Sequence, residues 1–323
     1  MRGISNAANA ESDALFVPAY LTAMGRSYHA NALEVLRRLP DDSVALVVTS
    51  PPFALQRKKA YGNVPAADYV EWLWPFAKEI HRVLQPEGSF VLELGGAWNH
   101  GSGTRSLYQY EVLIRLASLY HLAQDFYWYN PSRLPTPAEW VTIRRTRVKD
   151  AVNLIWWLSK TDTPRADNRR VLRPYSPSMK RLLKNGYKAA RRPSQHDISE
   201  NFSRDNGGAI PPNLLTIPNT RSNDEYLARC REAGLPIHPA RFPPAVPEFF
   251  IRFLTEPGQL VLDPFAGSNV VGQVAEALKR SWISVEIKRE YVEGSCLRFP
   301  HALPSPQRKQ GSANSGRCDS LAG

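Results

Sequence analysis

Cysteine is scarce in this sequence, and long apolar runs are missing. The three cysteines, Cys230, Cys296 and Cys318, lie far apart, and no Cys-x-x-Cys pair or Cys/His cluster occurs. We therefore expect neither a disulfide framework nor a metal site. No run approaches the roughly 20 apolar residues of a membrane span, and the N-terminus has no apolar signal core. These absences predict a protein of the reducing cytoplasm.

Acidic residues are also in the minority. The chain has 30 of them against 41 lysines and arginines, which gives a formal net charge of +11. A positive excess of this size indicates a polyanionic partner such as nucleic acid, although a cationic surface can also serve solubility alone. The 323 residues are enough for one large α/β domain or two smaller ones.

The first notable stretch is Thr49–Phe53, which ends the apolar run Val44–Val48. The run has the length and the β-branched content of a buried strand. Two consecutive prolines cannot donate to a sheet and hold the chain extended, so the strand stops here with a rigid backbone. Open α/β sheets bind ligands at the carboxyl ends of their strands, which makes this stretch a candidate site. The alternative is an ordinary strand end with a buried phenylalanine.

A second short strand, Val261–Asp263, ends in the turn Pro264–Asn269, and a helical pattern follows directly. The next strand ends at Glu286. Backbone amides at a helix start bind anionic groups, and an acid that ends the next strand pairs with ribose hydroxyls. This arrangement predicts nucleoside binding. It disfavours a dinucleotide, because the Gly-x-Gly-x-x-Gly spacing is absent after Asp263.

Together the two stretches resemble the β-class DNA amino-methyltransferases. In that family a Ser/Asp/Asn-Pro-Pro-aromatic tetrapeptide carries catalysis, and an Asp-Pro-Phe-x-Gly-Ser turn holds S-adenosylmethionine. The resemblance covers about residues 28–299. It implies a doubly wound, mostly parallel α/β sheet with a smaller, irregular DNA-recognition region. It also implies S-adenosylmethionine as the cofactor, S-adenosylhomocysteine as the product and double-stranded DNA as the substrate.

Within this family, serine at the first position of the tetrapeptide implies N4-cytosine methylation, because the adenine methylases usually carry Asp or Asn there. Several longer stretches are similar to a member that methylates CAGCTG, which implies that target. The resemblance also implies a cognate restriction endonuclease as a functional partner. An N6-adenine methyltransferase and a catalytically inactive DNA-binding protein remain as alternatives.

The chemistry of such a site follows from its target. An exocyclic base amine is a poor nucleophile, because its lone pair is delocalised into the ring. The Ser50 oxygen and the Pro51 carbonyl can accept its N–H groups, and Phe53 can stack on a base that has left the duplex. Glu93, inside an apolar strand, either is a structural acid or relays the released proton through Ser50. The predicted catalytic residues are Ser50, Pro51, Pro52, Phe53 and Glu93.

The resemblance also implies the cofactor contacts. They come from the glycine turn, from the acid that follows it, and from Asn31, which stands where a similar member carries an acid facing the cofactor adenine. The predicted cofactor-binding residues are Asn31, Asp263, Phe265, Gly267, Ser268, Asn269 and Glu286.

Composition divides the chain into five parts. They are an N-terminal arm (1–27), a catalytic half (28–160), a DNA target-recognition region (161–236), a cofactor-binding half (237–299) and a disordered tail (300–323). The third part is basic, rich in Pro and Asn and weakly periodic, which favours a DNA-reading module over a polar linker. A basic loop follows the Pro-Pro motif and is predicted to contact phosphates. The predicted DNA-binding residues are Arg57, Lys58, Lys59, His196, Arg204, Asp205, Asn206 and Asn213.

Overall fold

The computed structural model describes residues 17–54, 64–186, 204–220 and 224–304. The strands of these ranges are β1 (Tyr20–Leu21), β2 (Gly25–His29), β3 (Val44–Thr49), β4 (Leu84–Leu94), β5 (His121–Tyr129), β6 (Val152–Ser159), β7 (Leu214–Thr216), β8 (Leu260–Asp263), β9 (Ser281–Glu286) and β10 (Leu303–Pro304). They form one ten-stranded sheet in the order β10-β1-β2-β9-β8-β3-β4-β6-β5-β7.

The helices flank this sheet. They are α1 (Ala32–Leu36), α2 (Tyr69–Val83), α3 (Tyr108–Leu116), α4 (Pro177–Asn185), α5 (Glu225–Glu232), α6 (Ala245–Leu254), α7 (Val270–Ala277) and α8 (Arg289–Cys296). Short 3-10 turns cover Ala66–Asp68 and Asn168–Val171, and a π-helical turn covers Glu139–Ile143. No helix in the described ranges is long and apolar enough to cross a membrane.

Successive side chains of β3 point into two different apolar layers, because side chains alternate between the faces of a sheet. Val47 packs in the layer that contains the buried side chains of α1, α2 and α3. Leu46 and Val48 pack in the opposite layer, with those of α6 and α7. Helices therefore cover both faces, and the predicted doubly wound α/β fold is confirmed.

The direction of the strands decides where the two motifs meet. β2, β9, β8, β3 and β4 run parallel to one another, whereas β6 runs antiparallel to both β4 and β5. β7 is parallel to β5. The carboxyl ends of β3, β8 and β9 and the amino end of β6 therefore lie at the same edge of the sheet.

The N-terminal boundary differs from the prediction. β1 and the first three residues of β2 lie within residues 1–27, which were predicted to form an arm, and Tyr20 is only 2% exposed. Its hydroxyl accepts a hydrogen bond from Asn269 Nδ2 at 2.9 Å, so this part of the chain belongs to the fold. β10, within the predicted tail, pairs with β1. Residues 1–16 and 305–323 lie outside the described residues.

The region predicted to recognise DNA contributes to the same fold. β7 extends the sheet beside β5, and the buried face of α5, with Leu227 and Cys230, packs against Leu297 and Ile237. The C-terminal part of residues 161–236 thus packs on the central domain.

Candidate active site

A cavity of about 670 Å³ opens at the edge of the sheet where the two motifs meet. Ser50 follows β3, Asp263 ends β8 and Glu286 ends β9, so the topology itself brings these three residues together. The predicted residues that line the cavity are Asn31, Ser50, Pro51, Pro52, Phe53, Glu93, Asp263, Phe265, Gly267, Ser268 and Glu286.

A chain of hydrogen bonds runs along one wall of this cavity. Ser50 Oγ donates to Glu93 Oε2 at 2.5 Å, and Asn153 Nδ2 donates to Glu93 Oε1 at 2.6 Å. Arg133 Nη1 donates to Asn153 Oδ1 at 3.1 Å. Glu93 thus faces Ser50, which was one of the two roles that the sequence left open. Asn153 and Arg133 were not predicted, although a polar Asn153 in the apolar strand β6 is the same kind of signal as Glu93 in β4.

Glu93 is buried, with 2% of the residue exposed. Burial raises its pKa to about 7, although the hydrogen bonds from Ser50 and Asn153 and the charge of Arg133 act in the opposite direction. A carboxyl with this pKa can take up a proton near neutral pH and give it back.

The rate of the chemical step is therefore expected to depend on pH. Glu93 accepts a proton only when it is ionised, so the single-turnover rate should rise with pH through about 7 and level off above it. Burial also raises the pKa of Asp263 to about 7, so the Asp263→Asn variant is the control. The rise in rate through pH 7 should persist in Asp263→Asn and should be absent from Glu93→Gln. A rate that falls as pH rises through 7 would contradict the assignment of Glu93 as an acceptor.

The Pro-Pro-Phe segment is held by close packing. Tyr69 Oη donates to the main-chain oxygen of Pro52 at 2.8 Å. Gly95 lies against Phe53 so closely that a Cβ at this position would lie 2.4 Å from the ring. The Phe53 ring can therefore occupy this place at the cavity wall because Gly95, directly after β4, has no side chain.

The glycine turn of the second motif faces the Pro-Pro-Phe segment. Gly267 N donates to Glu286 Oε2 at 2.9 Å, and Lys288 N donates to Glu286 Oε1 at 2.8 Å. Burial raises the pKa of Glu286. Gly267 has a φ of +50°, and a Cβ here would lie 3.0 Å from the ring of His238. The turn thus requires glycine both for its backbone conformation and for space.

Phe265 forms an apolar side of the cavity. Its ring packs against Trp72 and Phe76, with centroid distances of 5.7 and 5.1 Å. Ser268, next to the turn, is held from behind by the buried Arg298, whose Nε donates to the Ser268 main-chain oxygen at 2.5 Å. The guanidinium of Arg298 also lies 3.9 Å above the ring of Tyr226 in α5. Arg298 therefore connects the predicted recognition region to the turn.

Two of the predicted cofactor residues have roles within the protein. Asp263 Oδ1 accepts from Thr49 Oγ1 at 2.7 Å and from Phe265 N at 3.1 Å, so it ties the two motifs together. Asn269 does not line the cavity. Its Nδ2 donates to Tyr20 and its Oδ1 accepts from Gly272 N at 3.1 Å. Both ends of the Asn269 amide therefore bind the protein, and a contact of this residue with the cofactor stays a prediction.

Asn31 both lines the cavity and uses part of its side chain within the protein. It lines the cavity, and its Oδ1 accepts from Leu33 N at 2.9 Å, which caps the start of α1. The amide nitrogen is thus the end of this side chain that is not used in the cap.

The predicted DNA-binding residues that the structure describes are not among those that line the cavity. Arg57, Lys58, Lys59 and His196 lie outside the described residues. Arg204, Asp205 and Asn206 form an exposed bend, in which Asp205 Oδ1 accepts from Gly207 N at 2.9 Å. Asn213 Nδ2 donates to the main-chain oxygen of Asp125 at 2.9 Å. This bond ties β7 to β5, and the base contact of Asn213 stays a prediction.

Further side chains of the lining were not predicted. They lie at or near strand ends at the same edge of the sheet, or in the segment before α6, and they include Trp128, Asn130, Arg133, Asn153, Asn219, His238 and Arg241. Burial lowers the pKa of His238 to about 4, so its ring is neutral at physiological pH. No group of three His, Cys, Asp or Glu side chains in the described ranges is arranged to hold a metal ion.

Comparison with known proteins identifies the family to which this site belongs. The sequence profile of the DNA methylase family matches residues 44–296, which include both motifs. The chain belongs to the DNA methylase family. Within it, the type II methyltransferase M.PvuII of Proteus hauseri is 54% identical over 287 residues, which are 87% of this chain and 85% of that protein. The type II methyltransferase M.BglII of Bacillus subtilis is 28% identical, over 84% of this chain and 67% of that protein.

The fold of this chain is also similar to that of a solved DNA methyltransferase. The PvuII DNA methyltransferase, described as cytosine-N4-specific, matches with a TM-score of 0.72 and 48% identity. The match covers 87% of this chain and 88% of that chain. The similarity therefore extends over both motifs and over the region between them.

Proposed function

We propose that this protein is a site-specific DNA methyltransferase that transfers a methyl group from S-adenosylmethionine to N4 of a cytosine flipped out of duplex DNA. The observation that carries the proposal is the shared cavity, in which Ser50–Phe53 and Glu93 face the turn at Gly267. The extensive similarity to a cytosine-N4-specific methyltransferase supports cytosine as the base.

The glycine turn and its surroundings fit S-adenosylmethionine. Phe265 offers an apolar wall, Gly267 leaves space for close approach, and Glu286 offers carboxylate oxygens to ribose hydroxyls. When bound, this cofactor supplies an electrophilic methyl group on a positively charged sulfur. The protein therefore has to bind both reactants, exclude water and remove one proton.

The residues of the Pro-Pro motif perform these tasks on the base. The Ser50 hydroxyl gives its hydrogen to Glu93, so its oxygen lone pairs remain available to an amine N–H. The Pro51 carbonyl offers a second acceptor, and Phe53 stacks on the base. As the nitrogen forms its new bond to the methyl carbon, the bond from that carbon to sulfur breaks, and S-adenosylhomocysteine leaves as a neutral thioether. The N–H proton of the amine passes to Ser50 Oγ, and the Ser50 proton passes to Glu93 Oε2. Glu93 ends this step as a neutral carboxylic acid.

The similarity to M.PvuII also supports finer parts of the proposal. A modification enzyme of a type II restriction-modification system protects cellular DNA from a cognate endonuclease, which is the functional partner we assign here. It would act in the cytoplasm, at the nucleoid, where its substrate lies. We assign CAGCTG as the target on the residue similarities given by the sequence.

Sequencing of plasmid DNA from cells that express the protein tests the function directly. A single-molecule method that separates N4-methylcytosine from N6-methyladenine should find N4-methylcytosine at CAGCTG, and none in cells that express Ser50→Ala. The same mark in another sequence would retain the reaction and refute the target. N6-methyladenine without N4-methylcytosine would refute the choice of base, and unmodified DNA from folded protein would refute the enzyme.

A further inference from the structure

Arg133 occupies a defined position at the cavity although it belongs to a loop. The loop begins after β5, where Asn130 Oδ1 accepts from Ser132 N at 3.1 Å and from Asn219 N at 3.3 Å. The Arg133 main-chain nitrogen donates to Asn130 O at 3.2 Å, and its main-chain oxygen accepts from Lys149 Nζ at 3.2 Å. The side chain therefore starts from a fixed backbone.

The guanidinium of Arg133 has more donors than the protein uses. It carries five N–H groups, and it is always charged. Within the described ranges its hydrogen bond is the one from Nη1 to Asn153 Oδ1. Arg133 also lines the cavity and is only partly buried. Its remaining donors are thus available to a molecule in the cavity.

The position of the Arg133 donors relative to Ser50 determines which atom of a bound base they meet. Ser50 and Arg133 stand at the two ends of the hydrogen-bonded chain that passes through Glu93 and Asn153. All four side chains line the same cavity, so a base that places its amino group at Ser50 and its ring along this chain directs its ring edge past Glu93 and Asn153 toward Arg133. The atom of that edge farthest from the amino group is the one that meets the guanidinium.

That atom differs between the two candidate bases. In cytosine it is the carbonyl oxygen O2, a hydrogen-bond acceptor, whereas in adenine it is C2 with its hydrogen. A charged donor gains a bond from the first and faces an unfavourable desolvation beside the second. The ring nitrogen between them is an acceptor in both bases and cannot discriminate.

We propose that Arg133 is a specificity-determining residue that donates to O2 of the flipped cytosine and so selects cytosine over adenine. The bond to Asn153 orients the guanidinium for this contact and at the same time holds the Asn153 amide with Nδ2 toward Glu93. The inference rests on the proposed function, since it requires an amino-bearing base in the cavity.

The test combines a change in the protein with a change of one atom in the base. Single-turnover methylation is measured on duplexes that carry cytosine or 2-thiocytosine at the target position, for the wild-type protein and for Arg133→Gln and Arg133→Lys. Sulfur is a weaker acceptor than oxygen, so the wild-type rate should fall about tenfold on 2-thiocytosine. For Arg133→Gln the two substrates should differ less than twofold, and Arg133→Lys, which keeps a charged donor, should lie between.

The other outcomes overturn the inference in recognisable ways. If Arg133→Gln slows both substrates by the same factor, the residue only supports Asn153 and Glu93. If it weakens DNA binding equally for duplexes with cytosine, adenine or no base at the target, it contacts the phosphate backbone. Cofactor affinity, measured for each variant, shows whether the variant has folded. A wild-type protein that does not methylate cytosine at all refutes the proposed function and is distinguished from both results.

Discussion

Replacing Glu93 by glutamine is expected to lower the single-turnover rate of methyl transfer about 100-fold or more, which is the usual contribution of a positioned proton acceptor. The substitution keeps the size of the side chain and an acceptor for either Ser50 or Asn153. It removes the group that takes up the proton. The affinity for the cofactor should change little, because the glycine turn does not contact Glu93 through the hydrogen bonds described above.

Glu87→Gln is a matched control for this variant. Glu87 lies on the same strand, β4, near its opposite end, and its carboxylate pairs with Arg165 at the surface. Stability provides a second check. Burial raises the pKa of Glu93 above its value in the unfolded chain, so its ionised form costs folding free energy as pH rises through about 7. Glu93→Gln should therefore unfold at an equal or higher temperature at pH 8. A rate within tenfold of the wild type would mean that Glu93 is a structural acid.

The positions of the two motifs at strand ends could be predicted because they are encoded locally. An apolar run that meets two prolines, and an apolar run that meets a glycine turn, each place a strand end next to a functional residue. Both the Ser50 motif and the Gly267 turn lie where these runs end. Parallel pairing of β3 with β8 then brings them together, which follows from the fold class.

The partners of Glu93 could not be predicted in the same way. Asn153 reaches it because β6 runs antiparallel to β4, with Leu94 opposite Leu154 and Glu93 opposite Ile155. A sequence shows that β6 is a strand, but neither its direction nor its register follows from the pattern of apolar residues. Arg133 adds a loop conformation that depends on Asn219, which lies 89 positions from Asn130.

The internal hydrogen bonds of two predicted site residues could not be foreseen, for one physical reason. Asn269 and Asn213 have side chains suited to ligand binding, and a motif alone does not show which hydrogen bonds they make inside the protein. In the structure Asn269 caps α7 and binds Tyr20, while Asn213 joins β7 to β5. Buried amides are almost always hydrogen-bonded, so their roles depend on distant residues. Tyr20 itself was assigned to the arm, because a two-residue strand leaves no periodic pattern in a sequence.

Gly267→Val is expected to weaken binding of S-adenosylmethionine about 100-fold, close to 3 kcal/mol. Gly267 has a φ of +50°, and a Cβ here would already lie 3.0 Å from the His238 ring. A branched side chain must displace either that ring or the turn, and a shift of the turn moves the Gly267 N–H away from Glu286. Calorimetric titration with the cofactor measures the loss without requiring activity.

A second glycine separates this effect from backbone strain. Gly258 also has a positive φ, +84°, but a Cβ there has no neighbour within 4 Å, and the residue does not line the cavity. Gly258→Val thus carries the same kind of conformational penalty. Both variants should lose thermal stability, whereas only Gly267→Val should lose cofactor affinity. Equal affinities would show that the turn tolerates a side chain at Gly267, and the cofactor would then have to be held by other lining residues such as Phe265 and Asn31.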